Sequence, residues 1–257
     1  MKVLLIGDIV GISGVNKVKE TLPNYIRENK IDFVIANGEN SSDGMGITSK
    51  IFKDLISSGV NVVTMGNHTW GKKDIFNIID NNKLIRPANY PKDVVGNGYG
   101  IYNCNGKKIA VINLIGRADM NVLSDNPFNI AMEIINKIKN DVDYIFIDFH
   151  AEATAEKIAM GYYLDGKVSC IFGTHTHVPT ADEQILENGT AYITDIGMTG
   201  PKKSVIGMDV NASIKRFVTT LPEKYKVSED REIILQGCIV NINDEKSRAE
   251  KIDRIIL

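Results

Sequence analysis

Cysteine is scarce in this chain of 257 residues, which contains three, at positions 104, 170 and 238. They are far apart and odd in number, which excludes a disulfide framework and a CxxC zinc pattern. We therefore expect Cys104, Cys170 and Cys238 to be buried apolar side chains.

An excess of charge of either sign is also missing, because 30 Lys and Arg residues face 32 Asp and Glu residues and leave a formal net charge of -2. Binding to a nucleic-acid backbone or an anionic membrane over a broad surface needs clustered Lys and Arg. We expect neither a broad nucleic-acid-binding patch nor a membrane partner.

Long hydrophobic runs are absent as well. No apolar run approaches the length of a membrane span, and the KVLLIGD segment at the start has no basic leader. A cytoplasmic location is therefore expected. Because low-complexity stretches are missing too, the chain is expected to form a single ordered domain over residues 1–257.

Nucleotide-binding loops are not found either. The glycines after the first apolar run do not form GxGxxG, and TGPKKS at 199–204 departs from a P-loop at its GKS triplet. Lys202 and Lys203 are open to two interpretations, as phosphate contacts or as a solvated turn.

What the sequence does have is a repeated design in which a short apolar run of strand length ends in polar residues or glycine. Continuous apolar runs are typical of strands covered on both faces. The five segments of this kind are 2–8, 32–40, 60–68, 143–150 and 168–177.

Other segments predict the elements around these strands. Helical spacing is found at 14–28, 48–58 and 129–140, and the Asn-Gly pair within 98–115 predicts a hairpin. Further strands are predicted at 191–197 and 231–245, and a helix at 209–220. The order predicts a layered α/β fold with a mixed sheet or two packed sheets flanked by helices.

Every histidine of the chain falls at the carboxyl edge of a predicted strand. Ligand sites of open α/β sheets gather beyond these strand ends. We expect one cluster from the following residues: Asp8, Glu39, Asn40, Asn67, His68, His150, His175 and His177.

Each of these residues also has a structural interpretation. A single histidine at a strand end is often a hydrogen-bonded structural residue, Asp8 suits a helix N-cap, and Glu39 or Asn40 suits a turn. These interpretations do not account for the shared placement at strand ends, which favours a ligand site.

Mixed carboxylate, amide and imidazole donors suit first-row transition metals better than calcium. A two-metal centre clamps phosphate oxygens and makes a strong nucleophile from water. The donors leave the metal open among iron, manganese, cobalt, nickel and zinc. We expect two divalent or mixed-valence transition metal ions, with iron as the first expectation and manganese or zinc as alternatives.

Neighbouring residues leave further alternatives open. Trp70 suits stacking on a base or simple packing. Asp148, Glu152 and Glu156 flank His150, and one of them is expected to orient a ligand imidazole, while the two glutamates also suit a helix surface.

The ordered blocks GD, NGEN, GNH, a lone His and GTHTH, spread between residues 7 and 177, resemble the calcineurin-like metallophosphoesterases. More closely, GDIVG, NGENS, TMGNHTW, DFHAEATAEK, GTHTHVPTAD and DIGMTGP resemble the YmdB branch of that superfamily. The resemblance extends from residue 3 to about residue 208.

This resemblance implies a four-layer α/β/β/α fold and a phosphodiesterase that hydrolyses 2′,3′-cyclic nucleotides or related phosphodiesters. It implies His68 as the general acid, and Glu39 as a ligand that bridges both metal ions. The other ligands it implies are Asp8, Asn40 and His177 for one ion and Asn67, His150 and His175 for the other.

The sequence departs from the broader superfamily at three positions. Val10 stands where a DxH histidine is usual, Glu39 replaces the usual bridging aspartate, and Thr69 follows GNH where an acid is common. Asn40 is then the substitute for the missing histidine, and His68 lacks its usual carboxylate neighbour.

Three functions are compatible with these residues. The first is the phosphodiesterase, and the second is a regulatory metal- and nucleotide-binding protein that acts through RNA-decay or signalling partners. The third, a different binuclear hydrolase, is disfavoured by the intact GNH block. A small phosphodiester or cyclic nucleotide is the expected substrate, and a homo-oligomer is compatible with the class.

Overall fold

The computed structural model describes residues 1–224, 226–243 and 248–257. Within these ranges the chain forms two packed sheets between two layers of helices. The α-helices are α1 (Gly11–Asn29), α2 (Ser49–Ser57), α3 (Pro127–Ile138), α4 (Thr154–Leu164) and α5 (Val210–Thr219). A 3-10 helix spans Lys73–Asn77.

The first sheet has eight strands in the described ranges, in the order β2-β12-β13-β1-β3-β4-β5, with β14 paired to β13. Its strands β1, β3, β4 and β5 run parallel, whereas β13 is antiparallel to β1, β12 and β14. The strands are β1 (Lys2–Ile6), β2 (Asp8–Ile9), β3 (Phe33–Asn37), β4 (Val62–Thr64), β5 (Leu84–Ile85), β12 (Met198–Pro201), β13 (Ile233–Asn243) and β14 (Arg248–Ile256).

The second sheet has six strands in the same described part of the chain, in the order β10-β11-β9-β8-β7-β6. Strands β7, β8, β9 and β11 are parallel, and antiparallel strands lie at both edges. The strands are β6 (Tyr99–Cys104), β7 (Lys107–Ile115), β8 (Tyr144–His150), β9 (Cys170–Thr174), β10 (Gln184–Ile185) and β11 (Ala191–Ile193).

Alternation along the buried strands explains why the layers stack. Val3 and Leu5 of β1 point into the apolar layer between the two sheets, whereas Leu4 and Ile6 point to the layer under α1 and α2. The second sheet divides its faces in the same way, towards the first sheet and towards α3 and α4. Because strands buried on both faces are apolar throughout, the continuous runs in the sequence predicted them correctly. The four-layer α/β/β/α fold is confirmed.

The predicted hairpin within 98–115 is also confirmed. Strands β6 and β7 pair antiparallel, and Asn105 and Gly106 between them have φ values of 51° and 78°. Positive φ at both central residues is what a two-residue type I′ turn requires.

The structure corrects several predicted boundaries. Strand β11 ends at Ile193 rather than continuing to residue 197, because the chain bends at Thr194 and then leaves the second sheet to begin β12 of the first sheet at Met198. In the predicted strand at 231–245, β13 ends at Asn243, and positions 244 and 245 lie outside the described residues. Asp8 begins β2 and does not cap α1, which follows Val10.

Two of the three cysteines confirm the expectation of burial. Cys170 and Cys238 lie in the layer between the sheets, whereas Cys104 is only half-buried and its thiol donates to the Asp32 carbonyl at 3.3 Å. Among the helices of the described ranges, none has the length and apolar character needed to cross a membrane.

Candidate metal centre

The two sheets present the carboxyl ends of their parallel strands at one edge, and all eight predicted site residues meet there. Asp8 begins β2, and the short segments after β3 and β4 carry the other donors of the first sheet. His150 is the last residue of β8, and the segment after β9 carries the remaining two histidines. The structure therefore brings the eight residues together at one place, and their roles stay predictions.

Three side chains converge on one nitrogen atom, Nε2 of His150. Asn67 Oδ1 lies 2.8 Å from it, His175 Nδ1 3.0 Å and Glu39 Oε1 3.2 Å. Ligand atoms of Glu39, His150 and His175 all lie within 4.8 Å of one another. One ring N–H can donate a hydrogen bond to only one strong acceptor. A cation, in contrast, could bind the lone pairs of all these oxygen and nitrogen atoms at once.

A second group of donors lies beside the first. His177 Nε2 is 3.8 Å from Asp8 Oδ1 and 3.1 Å from the amide nitrogen of Asn40. Asp8 is fully buried, and its Oδ1 has no hydrogen-bond partner among the described residues. A buried carboxylate oxygen without a partner is costly unless a cation completes its shell. The residues present therefore fit divalent metal ions.

A buried hydrogen-bond chain fixes the tautomer of His150. Its Nδ1 donates to Thr174 Oγ1 at 2.8 Å, and that hydroxyl donates to Asp148 Oδ1 at 2.7 Å. In the neutral ring this leaves the Nε2 lone pair towards the donor cluster, as in ligand histidines with a partner on the other nitrogen. Burial raises the pKa of Asp148 to about 6. Asp148, one of the three acids from which an orienting residue was expected, thus acts on His150 through the Thr174 hydroxyl, and the sequence did not indicate this intervening threonine.

The other two histidines are oriented by different partners. His175 Nε2 lies 3.1 Å from Glu152 Oε2, which turns Nδ1 towards His150. His177 Nδ1 donates to the carbonyl of Ile206 at 2.8 Å, so that Nε2 faces Asp8.

Glu156, by contrast, orients no histidine. Its carboxylate accepts hydrogen bonds from the main-chain amides of Arg117 and Ala118. Of the two glutamates considered for an orienting role, Glu152 contacts a site imidazole and Glu156 supports a loop.

The histidines of the cluster differ in their pKa values because their charged neighbours differ. Burial opposes ionisation of Glu39, but the adjacent imidazoles of His150 and His68 hold its pKa well below the usual range. Burial also opposes charging of His150, yet the Glu39 carboxylate raises the pKa of His150 to about 9. For His175, burial and the neighbouring His150 lower the pKa to about 3. Histidine binds a metal as the neutral imidazole, so His175 is ready to bind, whereas His150 would release its Nε2 proton when a cation takes that proton's place.

The segment that carries two histidines is strained. His175 has φ of 106° and His177 has φ of 64°, a region that favours glycine. Non-glycine residues in such conformations are held by their surroundings and cluster at functional sites. The His-Thr-His pattern in the sequence identified these residues, but it did not indicate that their backbone is strained.

Gly66 is a further residue that the site requires. A Cβ at this position would lie 2.4 Å from both Glu39 Oε2 and His150 Nε2. The glycine of the GNH block is therefore needed because the donors approach its Cα closely.

The contacts of Trp70 favour packing over base stacking, and those of Lys202 and Lys203 favour a solvated turn over a phosphate site. The Trp70 ring stacks on Phe76 with centroids 5.7 Å apart and tilts against Tyr90 at 6.1 Å, which supports packing. Lys202 Nζ pairs with Glu232 at 2.5 Å on the surface, and the Lys203 main-chain amide binds an aspartate. The lysine pair lies in a solvated turn.

Two sheets between helices, with the donors at the shared strand edge, define the fold of the calcineurin-like phosphoesterases. A structure of a putative 5′-nucleotidase from Staphylococcus aureus shares this fold with a TM-score of 0.63 and 13% identity, over 99% of this chain and 54% of that one.

The chain belongs to the YmdB-like protein family, whose profile matches residues 4–255. It is 50% identical over 258 residues to a 2′,3′-cyclic-nucleotide 2′-phosphodiesterase of Bacillus subtilis, covering 100% of this chain and 97% of that protein. A crystal structure described as a novel phosphatase from Mycoplasma pneumoniae superposes with a TM-score of 0.94 at 38% identity, covering 100% of this chain and 93% of that chain. The resemblance noted in the sequence is confirmed, and this family implies divalent metal ions.

Proposed function

We propose that this protein is a metal-dependent phosphodiesterase with a two-ion centre, acting on 2′,3′-cyclic nucleotides. The observation that carries the proposal is the convergence of Asn67, Glu39 and His175 on His150 Nε2, beside the unpartnered buried oxygen of Asp8. Nitrogen and oxygen donors without thiolate suit borderline first-row metals.

The ligands divide into two sets that share one carboxylate. Glu39 belongs to both sets, since its Oε1 lies 3.2 Å from His150 Nε2 on one side and 3.1 Å from the Asn40 amide on the other. The first set is Asp8, Glu39, Asn40 and His177, and the second is Glu39, Asn67, His150 and His175.

Asn40 can bind a metal ion only if its side-chain amide changes orientation. Its Oδ1 faces His68 Nδ1 at 2.8 Å and its Nδ2 faces His177. To bind an ion through oxygen, the amide must turn end for end, so that Oδ1 faces His177 and Nδ2 faces His68, whose Nδ1 proton is then accepted by Glu39 Oε1 at 3.2 Å. The two ends of an amide differ little in shape, and this exchange needs no movement of the main chain.

Two ions held by these two sets of ligands would clamp the phosphate oxygens and supply a strong nucleophile from water. The chain itself supplies the proton that the departing alkoxide needs, and we assign this role to His68. Its Nδ1 contacts Asn40 and Glu39, and its main-chain N–H donates to Glu39 Oε2 at 2.8 Å. The side chain is 32% exposed, so Nε2 is the nitrogen offered to a substrate.

The reaction balances with water as the second reactant. Water adds to phosphorus and gives up one proton, the bond from phosphorus to the 2′ oxygen breaks, and that oxygen takes a proton from His68. The proton given up by water restores the charged form of His68, and the product is a nucleoside 3′-phosphate. The choice of a 2′,3′-cyclic nucleotide follows the name of the Bacillus subtilis relative, which is 50% identical to this chain over 258 residues.

A turnover panel tests the proposal. Metal-reconstituted protein is assayed with 2′,3′-cyclic nucleotides, 3′,5′-cyclic nucleotides, an aryl phosphodiester and simple monoesters, and the metal-free protein is the control. We expect 2′,3′-cyclic nucleotides to be turned over fastest. Faster hydrolysis of monoesters with every metal would refute the diester assignment, and nucleotide binding without any turnover would favour the regulatory alternative.

Several expectations stay predictions alongside this one. They are the single-domain organisation over residues 1–257, iron as the first metal with manganese or zinc as alternatives, the cytoplasmic location and homo-oligomerisation.

A further inference from the structure

A buried ion pair lies directly beneath the segment that carries His175 and His177. Lys157 of α4 is 1% exposed and Asp195 is 0% exposed, and Lys157 Nζ lies 2.8 Å from Asp195 Oδ2. Neither residue is among the proposed metal ligands. Because a buried ion pair gains little stability over well-packed apolar side chains, its presence needs another explanation.

Its hydrogen bonds reach the main chain on both sides of His175. Lys157 Nζ donates to the carbonyl of Thr174 at 2.9 Å, and Asp195 Oδ2 accepts from the amide of Thr176 at 3.1 Å. Asp195 Oδ1 also accepts from the amide of Gly197 at 2.9 Å. The ion pair therefore holds the peptide groups before and after His175.

Those peptide groups belong to the strained stretch. The φ values of 106° at His175 and 64° at His177 are sparsely populated by residues with a side chain. Such a conformation persists only where contacts outside the strained residues enforce it. Within the described residues, Lys157 and Asp195 provide charged contacts of this kind.

We propose that Lys157 and Asp195 are positioning residues that hold the His175–His177 segment in its ligand-presenting conformation. The inference rests on the proposed metal centre, because the purpose of that conformation is to aim His175 Nδ1 and His177 Nε2 at the ions. It assigns a function to a lysine and an aspartate that contact neither ion nor substrate.

Apolar replacement separates positioning from plain stabilisation. The variant Lys157→Met leaves Asp195 buried without its partner and removes the donor to Thr174. The double variant Lys157→Met/Asp195→Asn leaves no unpaired charge, yet still lacks that donor. Leu164→Ala is the matched control, because Leu164 is a fully buried residue on the same helix that belongs to the apolar layer behind the second sheet.

The measurements are the melting temperature of the metal-free protein and Mn²⁺ binding to it by calorimetry. We expect the double variant to recover most of the melting temperature lost in Lys157→Met, while its Mn²⁺ affinity stays about 10- to 100-fold below that of the unaltered protein, as for other contacts that orient ligands. Leu164→Ala should lower the melting temperature and keep the Mn²⁺ affinity. Amide hydrogen exchange at Thr176 should accelerate in the double variant and not in the control.

Two results would overturn the inference. One is a double variant that regains Mn²⁺ affinity together with its melting temperature, since the pair would then only stabilise the fold. The other is an equal loss of affinity in Leu164→Ala. If the unaltered protein binds no Mn²⁺ or other first-row divalent ion, the proposed metal centre itself fails, and this inference fails with it.

Discussion

The two sheets contribute chemically different halves to the candidate centre. The first sheet supplies carboxylates and amides, and the second sheet supplies three imidazoles. The first-sheet donors are Asp8, Glu39, Asn40 and Asn67, and the second-sheet donors are His150, His175 and His177. Glu39 joins the halves, since its carboxylate reaches His150 across the boundary.

The two halves are also held in different ways. The Glu39 carboxylate accepts hydrogen bonds from the main-chain amide of His68 and the side-chain amide of Asn40. Hydrogen bonds between members of the first half therefore hold it in place. The imidazoles instead depend on contacts behind them, through Thr174 to Asp148 and through Glu152. One half therefore supplies the negative charge of the centre, while contacts in the other half set the direction of the imidazole lone pairs.

The largest expected effect comes from breaking the link between the halves with Glu39→Gln. A bridging ligand serves both ions, so both should be lost in metal analysis. Bound metal ions contribute several kcal/mol of transition-state stabilisation, and each 1.36 kcal/mol corresponds to about a tenfold change in rate. We therefore expect turnover to fall by at least ~10³-fold. Glu156→Gln, which alters a carboxylate bound to loop amides, should retain both ions. Retention of one full equivalent in Glu39→Gln would disprove the bridge.

Single histidine variants should show which of the two metal positions each imidazole of the second half serves. His150→Ala is expected to empty mainly one position and His177→Ala mainly the other, each leaving about one metal equivalent in a two-ion centre. Elemental analysis of each variant gives the count. Calorimetric titration of the double variant should show neither site, and a single variant that loses both ions would show that the sets are not independent.

His68 sharpens the comparison because it lies in the first half without being a proposed ligand. His68→Ala should keep both ions and lose ~10²–10⁴-fold in kcat, the usual contribution of general acid catalysis. The loss should shrink for a nitrophenyl ester, whose leaving group is a stable anion and needs no proton. Equal losses for both leaving groups, or loss of an ion, would rule out the general acid role.

A smaller effect is expected from the support behind the imidazoles. Thr174→Val removes the hydroxyl between His150 Nδ1 and Asp148, and metal affinity should fall ~10- to 100-fold at one position. Thr190→Val is the matched control, because that buried hydroxyl donates to the Val168 carbonyl, outside the site. The idea that direction is set in this half fails if both variants bind metal equally well.

The smallest effect concerns Trp70, which follows the first-half donors along the chain. If its ring serves packing, Trp70→Leu and Phe76→Leu should each lower the free energy of unfolding, with a coupling of about 0.5–1.5 kcal/mol between them. The KM for cyclic nucleotides should not change. A several-fold higher KM in Trp70→Leu alone would instead indicate stacking on the base.

Strong local patterns predicted much of the fold. The apolar runs identified the long parallel strands, and Asn105-Gly106 identified its hairpin. Helix α4 was not predicted, because its buried face includes Lys157 and Gly161 and so hides the apolar spacing. Strand β14 was not predicted either, since its sequence is rich in charge and it pairs at the side of β13.

The chemical kind of each donor and its place beside the end of a strand could be predicted from the sequence, because both depend on residue type and local pattern. The sequence did not determine which ring nitrogen of His150 faces the centre, or that Asp148 reaches it through Thr174. Nor did it indicate the burial of Lys157 against Asp195. These contacts join residues distant in the chain, and only the packing of the two sheets and their helices brings them within hydrogen-bond distance.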